Sequence, residues 1–207
     1  MISDSLGHLP AERRIHYPAL VMRRLLLSLI LVPIQVGAAV ALQGPSPGIT
    51  SVSPDGREFV NVFNAASDRT RLVTVFSPTC GHCLRGAADI QNILSKESGA
   101  RIKVLILWAP ILGMDSRRAA LQAAAYLRDP RAEHFWDLWN FGRQHYNKKL
   151  QYPEDKSAWN IYVLYKPHLA WHRSGPEPTV WMQGHHLPFG LEYTADLLHE
   201  HVKKLVR

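Results

Sequence analysis

The chain has only two cysteines, Cys80 and Cys83, and they stand three residues apart directly behind the run Arg71–Ser77 (RLVTVFS). That run is apolar and β-branched and is followed by turn residues, so it is predicted to be a strand. Two cysteines cannot build a multi-bridge scaffold. A bridge across two residues closes so little chain that loop entropy gives it little stabilising value. The sequence does not need a staple in any case. With 207 residues, 46% of them hydrophobic and 20% charged, it can bury a core of its own. The pair therefore points to chemistry.

That chemistry requires a thiolate. A free cysteine titrates near pH ~8.5 and is mostly protonated at neutrality. A strand ending at Ser77, followed by a helix beginning near Cys80, places the first sulfur at a helix N-terminus. Unpaired amide N–H groups and the helix dipole favour an anion there. Cys80 is expected to be exposed and to attack, and Cys83, one turn into the helix, to be shielded and to resolve the mixed disulfide. His82 lies between them and is expected to tune the pair, since stabilising the thiolate makes the disulfide more oxidising.

Arg23 and Arg24 precede an apolar run from Leu25 to about Ala41 that ends in small residues. This is the layout of a secretory signal, with Ala39-Val40-Ala41 as the cleavage pattern and Leu42 as the first mature residue. Met22 is the expected natural start. An uncleaved anchor through 25–41, tethering the domain to a membrane, is the alternative. Either way the domain is expected to be periplasmic or secreted, where a C-x-x-C can hold a disulfide. The net charge of +7 comes without a Lys/Arg run interleaved with aromatics, so nucleic acid is not an expected partner.

The chain divides into an N-terminal extension and leader (1–41), a Gly/Pro/Ser-rich linker (42–56) and one domain (57–207). Within that domain Glu58–Phe63 reads as a short first strand, Arg101–Trp108 as a second strong one, and Asn160–Tyr165 and Thr179–Gln183 as further strands. Helices are predicted from about Cys83 to Glu97 and over Glu192–Val206. An insertion at about 115–158 is predicted to be helical. Asp115 would cap an Ala-rich helix to Leu127, and Asp129-Pro130 would start a second helix carrying Phe135, Trp136, Leu138, Trp139 and Phe141. Strands alternating with helices argue for an α/β sheet.

The strand, the C-G-H-C tetrapeptide Cys80–Cys83 and the following helix resemble the thioredoxin-like superfamily. Within it, they resemble protein disulfide isomerases and periplasmic thiol oxidases. The resemblance implies a central sheet flanked by helices, protein thiol or disulfide clients, a separate redox partner to recharge the pair, and no cofactor beyond the Cys80–Cys83 disulfide. It also implies a cis-proline before a strand, lying against the sulfurs. Pro178 in GPEPTVWMQG matches that pattern, so Glu177–Pro178 is expected to be cis and, with Gly81, to bind the client. One departure concerns the strand position six residues before the first cysteine. Many relatives carry a buried carboxylate there, and this chain has Thr74. Glu58, Asp89 or water would have to move the proton of the resolving thiol instead.

The oxidase direction is favoured by His82, and a reductase of protein disulfides is the alternative. A third reading, zinc or copper binding by Cys80, Cys83 and nearby histidines such as His185 and His186, needs more ligands than one C-x-x-C supplies. No metal is assigned. Haem attachment needs a histidine after the second cysteine, and Leu84 stands there.

Overall fold

A computed structural model describes residues 47–206 of the chain. The leader, its cleavage site and the alternative membrane anchor lie outside the described residues. Among those described, no helix is long and apolar enough to cross a membrane.

Among the described residues, seven strands form one mixed sheet in the order β1-β4-β3-β2-β5-β6-β7. They are β1 (Ile49–Ser51), β2 (Thr70–Phe76), β3 (Ile102–Trp108), β4 (Ala132–Trp136), β5 (Ile161–Tyr165), β6 (Val180–Gln183) and β7 (Leu191–Glu192). β1, β4, β3 and β2 run parallel, and β5 is antiparallel to both β2 and β6. Five α-helices of the described residues accompany them: α1 (Arg57–Ala65), α2 (Gly81–Lys96), α3 (Arg117–Ala123), α4 (Phe141–Lys149) and α5 (Ala195–Leu205).

The period-2 alternation of the central strands explains why helices cover both faces. Leu72 and Phe76 of β2, with Val104, Ile106 and Trp108 of β3, face one core beside Ala87, Ile90 and Leu94 of α2 and Leu198 of α5. Val73 and Val75, with Leu105 and Leu107, face the other core beside Phe59 and Phe63 of α1 and Tyr146 of α4. α2 forms as its spacing predicts, with Cys83, Ala87, Ile90 and Leu94 on its buried stripe.

Three sequence expectations are corrected. The stretch Glu58–Phe63 is helix rather than strand, because Phe59 and Phe63, four residues apart, share one buried helical face. The Glu58 carboxylate accepts bonds from the Ser53 amide (2.8 Å) and hydroxyl (2.7 Å), which holds the entry to α1. The first strand is instead β1, inside the segment read as a linker. Finally, the insertion is only partly helical, since 132–136 is the strand β4, laid between β1 and β3. Neighbouring residues His134, Phe135 and Trp136 are all buried, which two-sided strand burial allows and a single helical face does not. α4 starts only after Asp137, whose carboxylate accepts from the Phe141 and Gly142 amides at 2.8 Å each.

Arg71 shows how a charge survives inside this core. It is fully buried on β2. Its guanidinium donates to the carbonyls of Ala66, Ser67, Arg69 and Leu169 at 3.3, 2.9, 2.8 and 2.9 Å and lies 4.6 Å from the Phe63 ring centroid. Burial lowers its pKa, and the carbonyl cage and aromatic face offset that cost. Phe63 also meets Tyr165 and Trp171 edge-on at 5.1 Å each. Phe63→Ala is expected to cost about 3–5 kcal/mol by cavity formation. Urea titration should show a lower midpoint with an unchanged slope; an unshifted midpoint would show that this aromatic cluster does not hold α1 to the sheet.

Candidate functional site

The parallel strands β2, β3 and β4 end at one edge of the sheet, and the loops leaving them meet there. β5 begins and β6 ends at the same edge, since both pair in register with the ends of their neighbours (Val75↔Ile161, Ile161↔Gln183). Cys80 follows β2 at this edge as the N-cap of α2.

Both cysteines are free thiols, and both are buried. Cys80 is 8% exposed and Cys83 0%. Cys83 is shielded as expected. Cys80 is less open than expected. The Cys83 amide points at the Cys80 sulfur at 3.4 Å. Cys80 is pulled down to about 6 from an ordinary thiol value of 9.0. The largest cause is the hydrogen bond from the Cys83 side chain. Burial opposes it, and the amides of Cys83 and His82 add to it. The charge of His82 comes last among these causes. Cys83 is pushed far up, first by burial and then by the neighbouring Cys80 sulfur and the Asp115 charge. The two sulfurs thus share one strongly held proton.

Asp115 is not the helix cap that its place before the Ala-rich run predicts. The cap of α3 is Ser116, whose hydroxyl accepts from the Ala119 amide at 3.2 Å. Asp115 instead ties the loop after β3 to the loop that carries Cys80. One carboxylate oxygen accepts from Ser77 Oγ (2.9 Å), the Thr79 amide (3.1 Å) and Thr79 Oγ1 (2.5 Å). The other accepts from the amides of Ile111 (2.8 Å) and Leu112 (2.7 Å). Burial pushes its pKa up, yet these bonds hold it below the ordinary carboxylate value. Its charge disfavours a Cys83 thiolate. The sequence signal was present in the Asp-Ser pair before an Ala-rich run, but it does not say which of the two residues caps.

His82 is exposed, and its Nδ1 accepts from Arg85 Nη2 at 3.0 Å. Gly81 opens α2 and is exposed. Glu177 and Pro178 are corrected. No cis peptide bond occurs among the described residues. Pro178 also sits at the opposite end of the sheet. It precedes Thr179, whose amide bonds to the Leu164 carbonyl at 2.8 Å, while Leu164 lies at the far end of β5. Glu177 pairs there with Lys149 at 2.8 Å. The residue preceding the antiparallel strand at the cysteine edge is Asn160, which sequence reasoning missed. It is left-handed (φ 49°), which Asn tolerates. Its amide bonds to the Val75 carbonyl at 2.7 Å, and its Nδ2 donates to the Gly184 carbonyl at 3.1 Å.

A cavity of about 230 Å³ beside α2 is lined by His82, Gly86, Asp89, Asn160, Tyr162 and Tyr193, among others. His185 packs over Trp159 with ring centroids 4.3 Å apart, and His186 faces Glu192 at 2.5 Å. Among the described residues, no three His, Cys, Asp or Glu side chains converge as metal ligands. Glu58, engaged with Ser53, serves the entry to α1.

A mixed sheet covered by helices on both faces, with a C-x-x-C at the start of the helix that follows a central parallel strand, defines a thioredoxin-like α/β fold carrying a dithiol. Solved structures that superpose on this chain include three from bacteria. A secreted disulfide oxidoreductase of Mycobacterium tuberculosis, homologous to E. coli DsbE, superposes with TM-score 0.42 at 11% identity, over 68% of this chain and 85% of its own. For a putative thiol:disulfide interchange protein DsbE from Chlorobium tepidum the values are 0.44, 8%, 70% and 85%. For a SCO1/SenC family lipoprotein from Bacillus anthracis they are 0.46, 10%, 81% and 100%. No family model matches the chain, and no curated protein matches it.

Alkylation of the reduced protein with iodoacetamide should follow the ionisation of Cys80. Its rate should rise with pH and reach half its plateau near pH 6, with Cys83 unmodified throughout. A midpoint near pH ~8.5, the value of a free cysteine, would show that the site does not stabilise the thiolate.

Proposed function

We propose that this chain is an extracytoplasmic thiol–disulfide oxidoreductase that exchanges a Cys80–Cys83 dithiol or disulfide with protein clients, leaning towards oxidation. The observation that carries this reading is the asymmetry of the two sulfurs. Cys80, 8% exposed, lies at the edge where the parallel strands end with its pKa drawn down to about 6, while Cys83 is wholly buried with its proton retained. Such a pair has one sulfur ready to attack or be attacked and a second ready to resolve the mixed disulfide. The dithiol is the redox centre, no soluble cofactor takes part, and a separate redox partner recharges it. Exposed Leu112 and Met114 in the loop after β3, with Leu138 and Trp139 in the loop after β4, give the cysteine edge an apolar rim. Such a rim favours polypeptide clients over small thiols. The Arg-led apolar run at 23–41 supports export to a periplasmic or extracellular compartment.

The reductase reading has one observation in its favour. A nucleophile at about 6 lies nearer to the ~7 of thioredoxin than to the ~3.5 of a strong periplasmic oxidant. Equilibration of the pair with a glutathione series decides between the two. A potential near −120 mV marks an oxidase, and one near −270 mV a reductase. The pH dependence has a definite sign. Above pH 6 the reduced form holds one proton, so the potential should fall by about 30 mV per pH unit; below pH 6 it holds two and should fall by about 60 mV. A slope of about 60 mV extending through pH 7 to 8 would remove the low-pKa nucleophile and the proposed function with it.

His82→Ala should make the disulfide harder to reduce, by less than about tenfold in the equilibrium constant (about 30 mV), since the His82 charge is the smallest of the causes acting on Cys80. An unchanged equilibrium would remove His82 from the tuning of the pair.

A further inference from the structure

Cys83 presents a problem that the dithiol reading leaves open. To resolve a mixed disulfide it must lose its proton, yet burial and the charges beside it hold that proton tightly. β2 offers no base, because the facing position holds Thr74, whose buried hydroxyl has no partner. Opposite Thr74 in the β2–β5 register stands Tyr162. This side chain is almost completely buried, and its hydroxyl rests on Gly86, one turn beyond Cys83 on α2. A Cβ at Gly86 would come within 2.0 Å of that hydroxyl, so the glycine is the notch that admits the phenol. Tyr162 and Cys83 lie in the same core cluster and are coupled electrostatically. The Tyr162 ring stacks on Tyr193 with centroids 3.8 Å apart and planes 5° apart, so the two phenols lie side by side and act on each other electrostatically. Tyr193 Oη donates to Asp89 Oδ2 at 2.9 Å. Asp89 lines the 230 Å³ cavity together with both tyrosines. Tyr162 Oη also lies 3.5 Å from Asn160 Oδ1, the long end of a hydrogen bond.

We propose that Tyr162, Tyr193 and Asp89 form the proton path of Cys83, replacing a carboxylate on the strand. The inference rests on the thiol–disulfide reading above. In the resolving step Cys83 passes its proton to Tyr162 Oη, Tyr162 passes its own to Tyr193 Oη, and Tyr193 passes its own to the Asp89 carboxylate. Neither phenol carries a net charge at the end. Cys83 Sγ then attacks Cys80 Sγ. The bond between Cys80 and the client sulfur breaks, and its electron pair leaves on the client as a thiolate. The cysteine pair is oxidised by two electrons and the client disulfide is reduced. In the oxidising direction the same path runs backwards. A client thiolate attacks Cys80, Cys83 leaves as the thiolate, and Asp89 returns the proton through the tyrosines. Tyr162 meets α2 at Gly86, one turn beyond the reacting thiol. Tyr193 and Asp89 act through it.

The charged and titratable groups facing this path are His82 and Arg85 on α2, His186 after β6, Glu192 on β7 and, near Cys83, Asp115. The test follows the reduced protein with glutathione disulfide in stopped flow between pH 5 and 9, separating capture by Cys80 from resolution by Cys83. Tyr193→Phe keeps the ring stack and breaks the path; Asp89→Asn removes its terminus. Each should slow resolution at least tenfold at pH 6–7, with the deficit closing as hydroxide takes over at high pH. Capture and the iodoacetamide midpoint of Cys80 should stay unchanged, and Asp89→Glu should recover most of the rate. Resolution at the unmodified rate in both variants at every pH would overturn the relay. So would equal slowing of capture and resolution, which marks a merely structural role. If the unmodified protein itself forms no Cys80–Cys83 disulfide with glutathione disulfide, the dithiol reading fails before any variant is compared.

Discussion

The site depends on the buried Cys83 thiol lying beside the Cys80 sulfur, whose anionic form it stabilises. In water a thiol is a weak donor and the two cysteines would titrate almost alike. Here Cys83 has no exposed surface, so its own ionisation is suppressed while its proton remains available to its neighbour. The low pKa of Cys80 and the high pKa of Cys83 are therefore two aspects of one arrangement. Asp115 reinforces it from the side. Its bonds to Ser77 and Thr79 fix the loop that presents Cys80, and its charge keeps the proton on Cys83.

Much of this was legible in the sequence because the central strands are buried on both faces. Two-sided burial writes a long, largely apolar run rich in β-branched residues, as in RLVTVFS and RIKVLILW, and the three-residue spacing of the cysteines follows at once. β4 was not legible. Its five residues, AEHFW, carry Glu133 and His134 between the apolar ones, and Leu138, Trp139 and Phe141 extend the apolar run past the strand. Only the pairing with β1 and β3 distinguishes five residues of strand from the start of a helix. The short β1 lay hidden for a related reason, since its three residues gain their place from β4 and not from a pattern of their own.

Pro178 shows what a local motif cannot carry. A proline and threonine before an apolar strand fit the expected pattern, and β6 does form there. Which end of the sheet the proline reaches depends on the direction of that strand, and direction is a property of the topology. β6 runs towards the cysteines, so its beginning lies away from them, whereas β5 runs away from them and brings Asn160 to the site. Tyr193 and Asp89, 104 residues apart, were out of reach for the same reason. Their meeting requires α5 and the segment before it to fold back over α2.

The redox consequence of this arrangement of the two sulfurs can be sized. At pH 7 an ordinary thiol at 9.0 is almost wholly protonated, whereas Cys80 at about 6 is almost wholly ionised. The difference stabilises the reduced form by about 1.4 kcal/mol, equivalent to about 30 mV in a two-electron couple. The raised pKa of Cys83 offsets none of this, because an ordinary thiol is also protonated at that pH. Ionisation of Cys80 alone thus makes the disulfide more oxidising, but by only a fraction of the roughly 150 mV that separates thioredoxin from a strong oxidant. The remainder must come from strain or contacts in the oxidised form. The proposed lean towards oxidation thus depends on how the closely packed edge around Cys80, Asn160 and Trp159 accommodates the bridge once it closes.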